Sequence, residues 1–265
     1  MDVLRQVLQE AGISHCVAFV IGARARGREA VLERWLAAGY ELGNHSFDHL
    51  RASRSEPGRF LDSVARCDAL LAGVGAFDAG RRRWFRYPFL DRGGDPGARQ
   101  SLAAGIRDLG YTPAHASVDL YDHRYEAPLA AAESVGDAAR AARVVARYQE
   151  VAWRSVRFGA ERSRSHAGRP VPLIPFFHFG AVSERGLAGF LERMRAAGSV
   201  WCPLAEAVAD PLHREFDAAY ERRGLVVRGH ATPVRVRVAR GLARLSERIG
   251  CFGQRRYGPR WPYLI

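Results

Sequence analysis

Short apolar runs alternate along this chain with segments whose apolar residues return every three to four positions. Val3, Leu4, Val7, Leu8 and Ala11 keep helical spacing, and Gly12 stops them. Residues 16–21, Cys-Val-Ala-Phe-Val-Ile, form a continuous apolar run ended by Gly22, the pattern of a strand buried on both faces. Residues 28–38 predict a helix with Val31, Leu32, Trp35 and Leu36 on one face, closed by Gly39. A short strand over 40–42 follows, then a helix over 57–71 that opens on Pro57. Next come a strand over 84–87 halted by Pro88, a turn over 94–97, a helix over 98–109 and one or two short strands within 111–118. The rest reads as a long helix over 135–158, a strand over 171–179, a helix over 184–197, a strand over 199–202 and short helices over 204–209 and 212–222. Strand and helix alternate to residue 222. That alternation predicts a parallel sheet with helices outside it, either open and doubly wound or closed as a barrel.

The pattern changes after residue 223, which divides the chain into a domain over 1–223 and an extension over 224–265. In the extension Val234, Val236 and Val238 alternate with Arg235 and Arg237 as in a strand. Val238, Leu242, Leu245 and Ile249 then fit a helix with Arg240, Arg244 and Arg248 on its other faces. Arginine stems cover apolar surface well, so the expectation is a helix packed on the domain with a solvated basic face. A basic helix that lies on a membrane or a partner is the alternative.

Composition narrows the field. The 265 residues are 48% hydrophobic, enough for one large α/β domain, and no run approaches the roughly 18 apolar residues of a membrane span. The first residues open directly into an amphipathic pattern with no signal peptide. The net charge is +12, and every basic residue is arginine, which reads as a coding bias rather than a binding adaptation. Nine arginines against Glu247 place +8 of that charge in the extension, so nucleic acid is not expected as a partner of the whole chain. Cys16, Cys67, Cys202 and Cys251 are scattered with no Cys-x-x-Cys pair, which is neither a zinc ribbon nor a disulfide framework. Cys16 and Cys202 read as small core residues.

The chemistry gathers at strand ends. His45 and His49 follow the strand over 40–42, and if the backbone there turns helically both imidazoles can reach one ion. Arg86 sits just before Pro88, Asp119 and Asp122 follow the strand near Ser117, and His178 closes the run over 171–177. Parallel α/β folds collect functional groups at such ends. Singly, each has a plain explanation: an accidental histidine pair, an arginine paired with a carboxylate, aspartates capping a turn, a core histidine. Their order together does not.

That order resembles the polysaccharide deacetylase family, also called NodB-type or carbohydrate esterase family four, over about residues 2–214. Residues 17–22 look like a core strand of that family. The run Gly-Tyr-Glu-Leu-Gly-Asn-His-Ser-Phe-Asp-His over 39–49 looks like its metal-binding motif, and Arg86-Tyr87-Pro88 like its Arg-x-Pro motif. Asp119-Leu120-Tyr121-Asp122 is similar to its Asp-x-x-Asp motif, with His123 where Trp is usual, and Phe176-Phe177-His178 stands where Leu-x-His is usual. The resemblance implies a distorted (β/α) barrel and a metal-dependent hydrolase that removes N-acetyl groups from amino sugars of a polysaccharide or oligosaccharide. It implies His45 and His49 as ligands of Zn²⁺ or a similar ion, and His178 as general acid held by Asp122. Arg86 would orient the base, and the Tyr87 N–H would help bind the reacting oxygen. Phe176 would line the substrate site.

One motif is not found: the family's Thr-Phe-Asp-Asp-Gly, which ends its first strand and supplies a base and a third ligand. Asp2 belongs to the helix after that motif, and Asp48 lies on a different face from the histidines. Two expectations follow. Either the chain starts late, so that the first strand and any envelope-directing signal precede Met1, or it is a non-catalytic, deacetylase-like glycan-binding protein. With a lost signal the compartment would be the periplasm or cell envelope, and otherwise the cytoplasm. A basic surface-binding module centred on the extension is a third, weaker reading.

Overall fold

The structure, a computed structural model, describes residues 2–223. The strand and helix expected in the extension therefore lie outside the described residues, as does Cys251.

The first half is a run of βα units. Helix α1 (Asp2–Glu10) buries Leu4 and Leu8, and β1 (Val17–Val20) follows. One turn, α2 (Gly22–Ala25), leads to α3 (Glu29–Ala37), which buries Leu32, Trp35 and Leu36 as its spacing requires. Strand β2 (Glu41–Asn44), α4 (Pro57–Gly73), β3 (Trp84–Phe85), α5 (Pro96–Asp108) and β4 (Thr112–Pro113) complete this half. The four strands pair in parallel in the order β1-β2-β3-β4, with Phe19 beside Gly43, Gly43 beside Trp84 and Trp84 beside Thr112.

The second half contributes β5 (Val118–Asp119), α6 (Glu126–Glu133), α7 (Ala138–Ala167), β6 (Pro175–Phe176), α8 (Ala181–Ala196), α9 (Leu204–Ala209) and α10 (Pro211–Arg223). Strands β5 and β6 form a separate parallel pair. The fold is thus a distorted (β/α) barrel whose wall is two parallel sheets. Among the described residues no strand joins β6 to β1, and α1 packs on α8 instead.

Burial explains the layers. The main core runs from Leu4 and Leu8 through Trp35 and Phe179 to Leu187 and Phe190, and joins α1, α3, α7 and α8. A second cluster of Phe60, Phe85, Tyr87 and Tyr111 lies under α4 and α5. Phe19, Trp84 and Ala114 form a third, closed by Leu204, Ala205 and Val208 of α9. Helix α10 is tied across by hydrogen bonds: Tyr220 Oη donates to the Leu90 carbonyl at 2.6 Å, and His213 Nε2 donates to the Pro172 carbonyl at 2.7 Å. No described helix is long and apolar enough to cross a membrane.

Several sequence expectations change. Residues 199–202 form no strand: Val200 is 90% exposed, and nothing pairs with this segment. The strand expected over 171–179 is regular only at Pro175–Phe176. The helix expected over 135–158 starts and ends later, because Gly136 takes a left-handed φ of 69° and Asp137 then accepts from the Arg140 N–H at 2.8 Å as an N-cap. Before it, α6 occupies a stretch assigned to no element from the sequence, where Ala-rich residues give no clear apolar stripe. Cys16 and Cys202 are half-buried, whereas Cys67 is fully enclosed.

Candidate active site

The histidine pair is held by a loop rather than a helix. After β2, Ser46 and His49 both take left-handed backbone angles, φ 61° and 54°. Such angles are uncommon outside glycine and need local support. The support is complete. Asn44 Oδ1 accepts from the Ser46 N–H at 2.8 Å, and Ser46 Oγ accepts from the His49 N–H at 3.1 Å. Ser63 Oγ accepts from the N–H groups of Phe47 and Asp48 at 3.1 and 2.9 Å. From the other side, the N–H groups of Gly22 and Ala23 donate to the carbonyls of Ser46 and Phe47 at 3.1 and 3.0 Å. The expected helical turn over 45–49 is thereby replaced, and the imidazole centroids still lie 4.9 Å apart.

The chemistry of each imidazole follows from its partners. His45 Nδ1 lies 2.7 Å from the Arg86 carbonyl, which can only accept, so Nδ1 carries the proton and Nε2 keeps its lone pair. Nε2 of His45 and Nε2 of His49 are both buried, and neither has a hydrogen-bond partner among the described residues. Burial pulls the pKa of His45 well below the usual imidazole value, helped by His49. Burial, with the charge of Arg24, pulls His49 down to about 4. Both rings are neutral at pH 7. Two neutral imidazoles with adjacent orphaned lone pairs fit two positions of a divalent transition-metal site.

Arg86 is 4% exposed. Its Nε and one Nη donate to the carbonyls of Ala114 and His115 at 3.1 and 3.2 Å, and its guanidinium lies 4.0 Å over the Phe19 ring. Burial lowers its pKa to about 9, which leaves it charged at neutral pH. Its partners among the described residues are main-chain carbonyls and the Phe19 ring. Arg86 braces main chain, and its own carbonyl aims His45.

The opposite wall holds an acid pair. Asp122, fully buried, accepts from His178 Nδ1 at 2.8 Å through Oδ1, and from the His178 N–H and Ser183 Oγ through Oδ2 at 2.5 and 2.9 Å. Burial would raise the Asp122 pKa, but these hydrogen bonds and the His178 charge hold it below the usual carboxylate value. Burial would lower His178, but Asp122, with Asp119 and Glu126 adding charge, holds it above the usual value. Burial lifts Asp119 to about 6. Phe176 ends β6 with its ring 5.7 Å from His178. The Tyr87 ring is buried against Phe60 and Phe85, so any contact with a ligand is left to its main chain.

Two constellations could hold a cation. Ligand atoms of Asp122, His123 and His178 lie within 4.8 Å of one another. Yet both Asp122 oxygens already accept hydrogen bonds, and His178 Nδ1 is already bonded to one of them, so a ligated His178 could not also be doubly protonated. The orphaned Nε2 atoms of His45 and His49 make theirs the better cation site. Among the described residues no carboxylate or thiol lies close enough to make it a three-ligand group.

Sequence reasoning missed Ser183, which donates to Asp122, because a serine in the first turn of a helix reads as an ordinary cap. It also missed Phe89, whose ring stands 4.5 Å from that of His49 on a left-handed backbone, φ 58°.

Residues 2–114 match the family model for polysaccharide deacetylase. That stretch is similar to polysaccharide deacetylases. The matched stretch carries the histidine loop and Arg86 and stops before Asp122 and His178, which the fold adds from β5 and β6. Solved structures of family-four carbohydrate esterases share this fold. An esterase from Streptomyces lividans, in complex with acetate, aligns at TM-score 0.55 and 15% identity over 78% of this chain and 88% of its own. The peptidoglycan deacetylase PdaC from Bacillus subtilis aligns at 0.52 and 16% over 84% and 89%. A family-four pseudoenzyme from Bacillus anthracis aligns at 0.57 and 13% over 78% of this chain, which spans 59% of that protein's length. No curated protein matches the sequence.

Proposed function

We propose that this chain is a metal-dependent deacetylase that hydrolyses N-acetyl groups on the amino sugars of a polysaccharide or oligosaccharide. The observation that carries the reading is the orphaned Nε2 pair of His45 and His49 in a fold that also sets His178 on a buried Asp122. Nε2 of His45 and Nε2 of His49 would hold the ion, best suited to Zn²⁺ by donor type. A divalent ion bound there supplies Lewis-acid polarisation of the acetamide carbonyl and a water of lowered pKa. His178 is the proton donor. Asp122 accepts at Nδ1 and so leaves Nε2 as the nitrogen that delivers a proton to the departing amine, a role worth about 10²–10⁴ in rate. Asp122 and Ser183 keep that ring oriented. The Tyr87 main chain is offered to the reacting oxygen, and Phe176 gives the sugar an apolar edge.

The test is acetate release from N-acetylchitooligosaccharide with added Zn²⁺, by the wild-type chain and by His178→Ala. Release that falls at least a hundredfold in the variant supports the reading. Equal rates in both remove His178 from the chemistry.

A specific observation favours a second reading, a deacetylase-like glycan-binding protein without turnover: no described carboxylate stands with the His45–His49 pair as third ligand or base. Saturable glycan binding with no acetate release at any Zn²⁺ concentration would select it.

A further inference from the structure

Beside the acid pair lies a cleft of about 460 Å³ lined by Arg124, Tyr125, Arg140, Arg143, Val144 and Arg147, with Pro128 at its edge. Three of its arginines share one face of α7, since positions 140, 143 and 147 follow the i, i+3, i+7 spacing. The fourth comes from the turn just after Asp122, where its guanidinium lies 4.5 Å over the Tyr121 ring. The groups converge. The charges of Arg147 and Arg124 both act on the Tyr125 hydroxyl, whose pKa burial raises. Arg124 follows Asp122 by two residues, and its charge also acts on Asp119.

This clustering is unfavourable in the free protein. Arginines at i and i+4, here Arg143 and Arg147, repel each other. Arg140 stands in the first turn of α7, which carries no acidic residue and where the helix dipole opposes a cation. Several arginines nearby are neutralised instead. Further along α7, Arg154 pairs with Glu150 and Arg157 with Glu161, while Arg185 reaches Glu133 and Arg193 reaches Glu150. Among the described residues none of the four cleft arginines forms an ion pair with a carboxylate. A volume of this size suits one or two sugar rings, and guanidinium forks match carboxylate and phosphate oxygens.

We infer that Arg124, Arg140, Arg143 and Arg147 form a subsite for acidic groups carried by the glycan next to the sugar being deacetylated, so that the favoured ligand is an anionic N-acetylated polymer rather than a neutral one. The identity of the polymer as a glycan rests on the deacetylase reading; the anion site does not. Carboxylate-bearing and phosphodiester-bearing glycans share the chemistry, and separate probes distinguish them.

The experiment is calorimetric titration of the full chain, without turnover, with a hyaluronan octasaccharide (alternating uronate and N-acetylglucosamine), a phosphodiester-linked N-acetylhexosamine oligomer and neutral chitohexaose. Each is compared with a variant carrying Arg140→Gln, Arg143→Gln and Arg147→Gln. The arginine-rich extension is identical in both proteins, so the difference reports the cleft. The inference expects at least one anionic probe to bind tenfold or more tighter than chitohexaose. It also expects that preference to fall at least tenfold in the variant and the salt dependence of binding to weaken. The variant's melting temperature should hold or rise, because like-charge repulsion is relieved, and Arg143→Gln alone should lose part of the preference. An unchanged preference in a folded variant overturns the inference. So does an oligothymidylate that binds more tightly than both anionic glycans and is lost equally. Acetate release is read separately: its absence with the preference intact counts against the deacetylase reading and leaves the anion site standing.

Discussion

The carbonyl of Arg86 accepts a hydrogen bond from His45 Nδ1 at 2.7 Å while the guanidinium of the same residue holds the carbonyls of Ala114 and His115. One residue thus fixes the tautomer of a candidate metal ligand with its main chain and braces the next strand end with its side chain. Replacing the side chain leaves the carbonyl in place but leaves two buried carbonyls short of a donor. Arg86→Met should therefore cost about 1–3 kcal/mol per carbonyl left without a partner, read as a lower urea midpoint. A midpoint within error of wild type would show that the brace is dispensable.

The acid pair makes a pH-dependent prediction. The folded pKa of His178 is raised, so its stabilisation is complete below the usual histidine value and is lost as pH rises through the folded value. The folded pKa of Asp122 is lowered, so its stabilisation is present above the usual carboxylate value and is lost as pH falls through the folded value. Both contributions coexist between about pH 4 and 6.5. Asp122→Asn should destabilise the fold by on the order of 3 kcal/mol in that window and by less at pH 9. Chemical denaturation of both proteins at pH 5.5 and 9 reads the difference. A gap that widens toward pH 9 contradicts it.

His49 carries the opposite acid-side behaviour. Its pKa falls to about 4 on folding, so the unfolded chain binds the proton first and stability drops as pH falls from about 6.5 toward 4. The metal-free protein should lose on the order of 3 kcal/mol across that window from this group. His49→Gln should flatten the slope of denaturation midpoint against pH in chelator-treated protein. An unaltered slope would assign the acid sensitivity elsewhere.

Metal addition offers a readout independent of turnover. If Nε2 of His45 and Nε2 of His49 take the ion, Zn²⁺ at a hundredfold excess over its dissociation constant stabilises the fold by about 2.7 kcal/mol. The melting temperature should rise accordingly in wild type and not in His45→Ala. A shift that survives in His45→Ala but vanishes in His123→Ala would move the cation to the Asp122 cluster.

Gly43 tests the packing beneath the site. A Cβ there would stand 2.6 Å from the Phe19 ring, and that ring is pinned between β2 and the Arg86 guanidinium. Gly43→Ala should cost about 1–3 kcal/mol of stability and displace Arg86 with it. Thermal melting checks the first effect, and loss of the Zn²⁺-induced shift checks the second.

Much of this was legible in the sequence, and the gaps have physical causes. Strands β1 and β2 and helices α3, α4 and α5 announce themselves because each buries a regular apolar face. His45, His49, Asp122 and His178 were legible as candidates because each is a polar group at the end of an apolar run. The backbone that unites the two histidines was not, since left-handed angles at Ser46 and His49 are imposed by Asn44, Ser63 and α2, contacts with no local sequence signal. Residues 199–202 failed as a strand because an apolar run fixes burial only when a neighbour is there to pair. The partners of Arg86 are carbonyls, which no side-chain pattern records.

The division of the wall into two sheets has a consequence for how such a site could be tuned. The His45–His49 pair hangs from one sheet and His178 from the other, and the short span between β4 and β5 crosses the seam. Arg86 clasps the start of that span. The reach from the histidine pair to His178 is thus set by a span that carries neither group. A change in that span could reset which leaving groups fit without altering any of the three histidines.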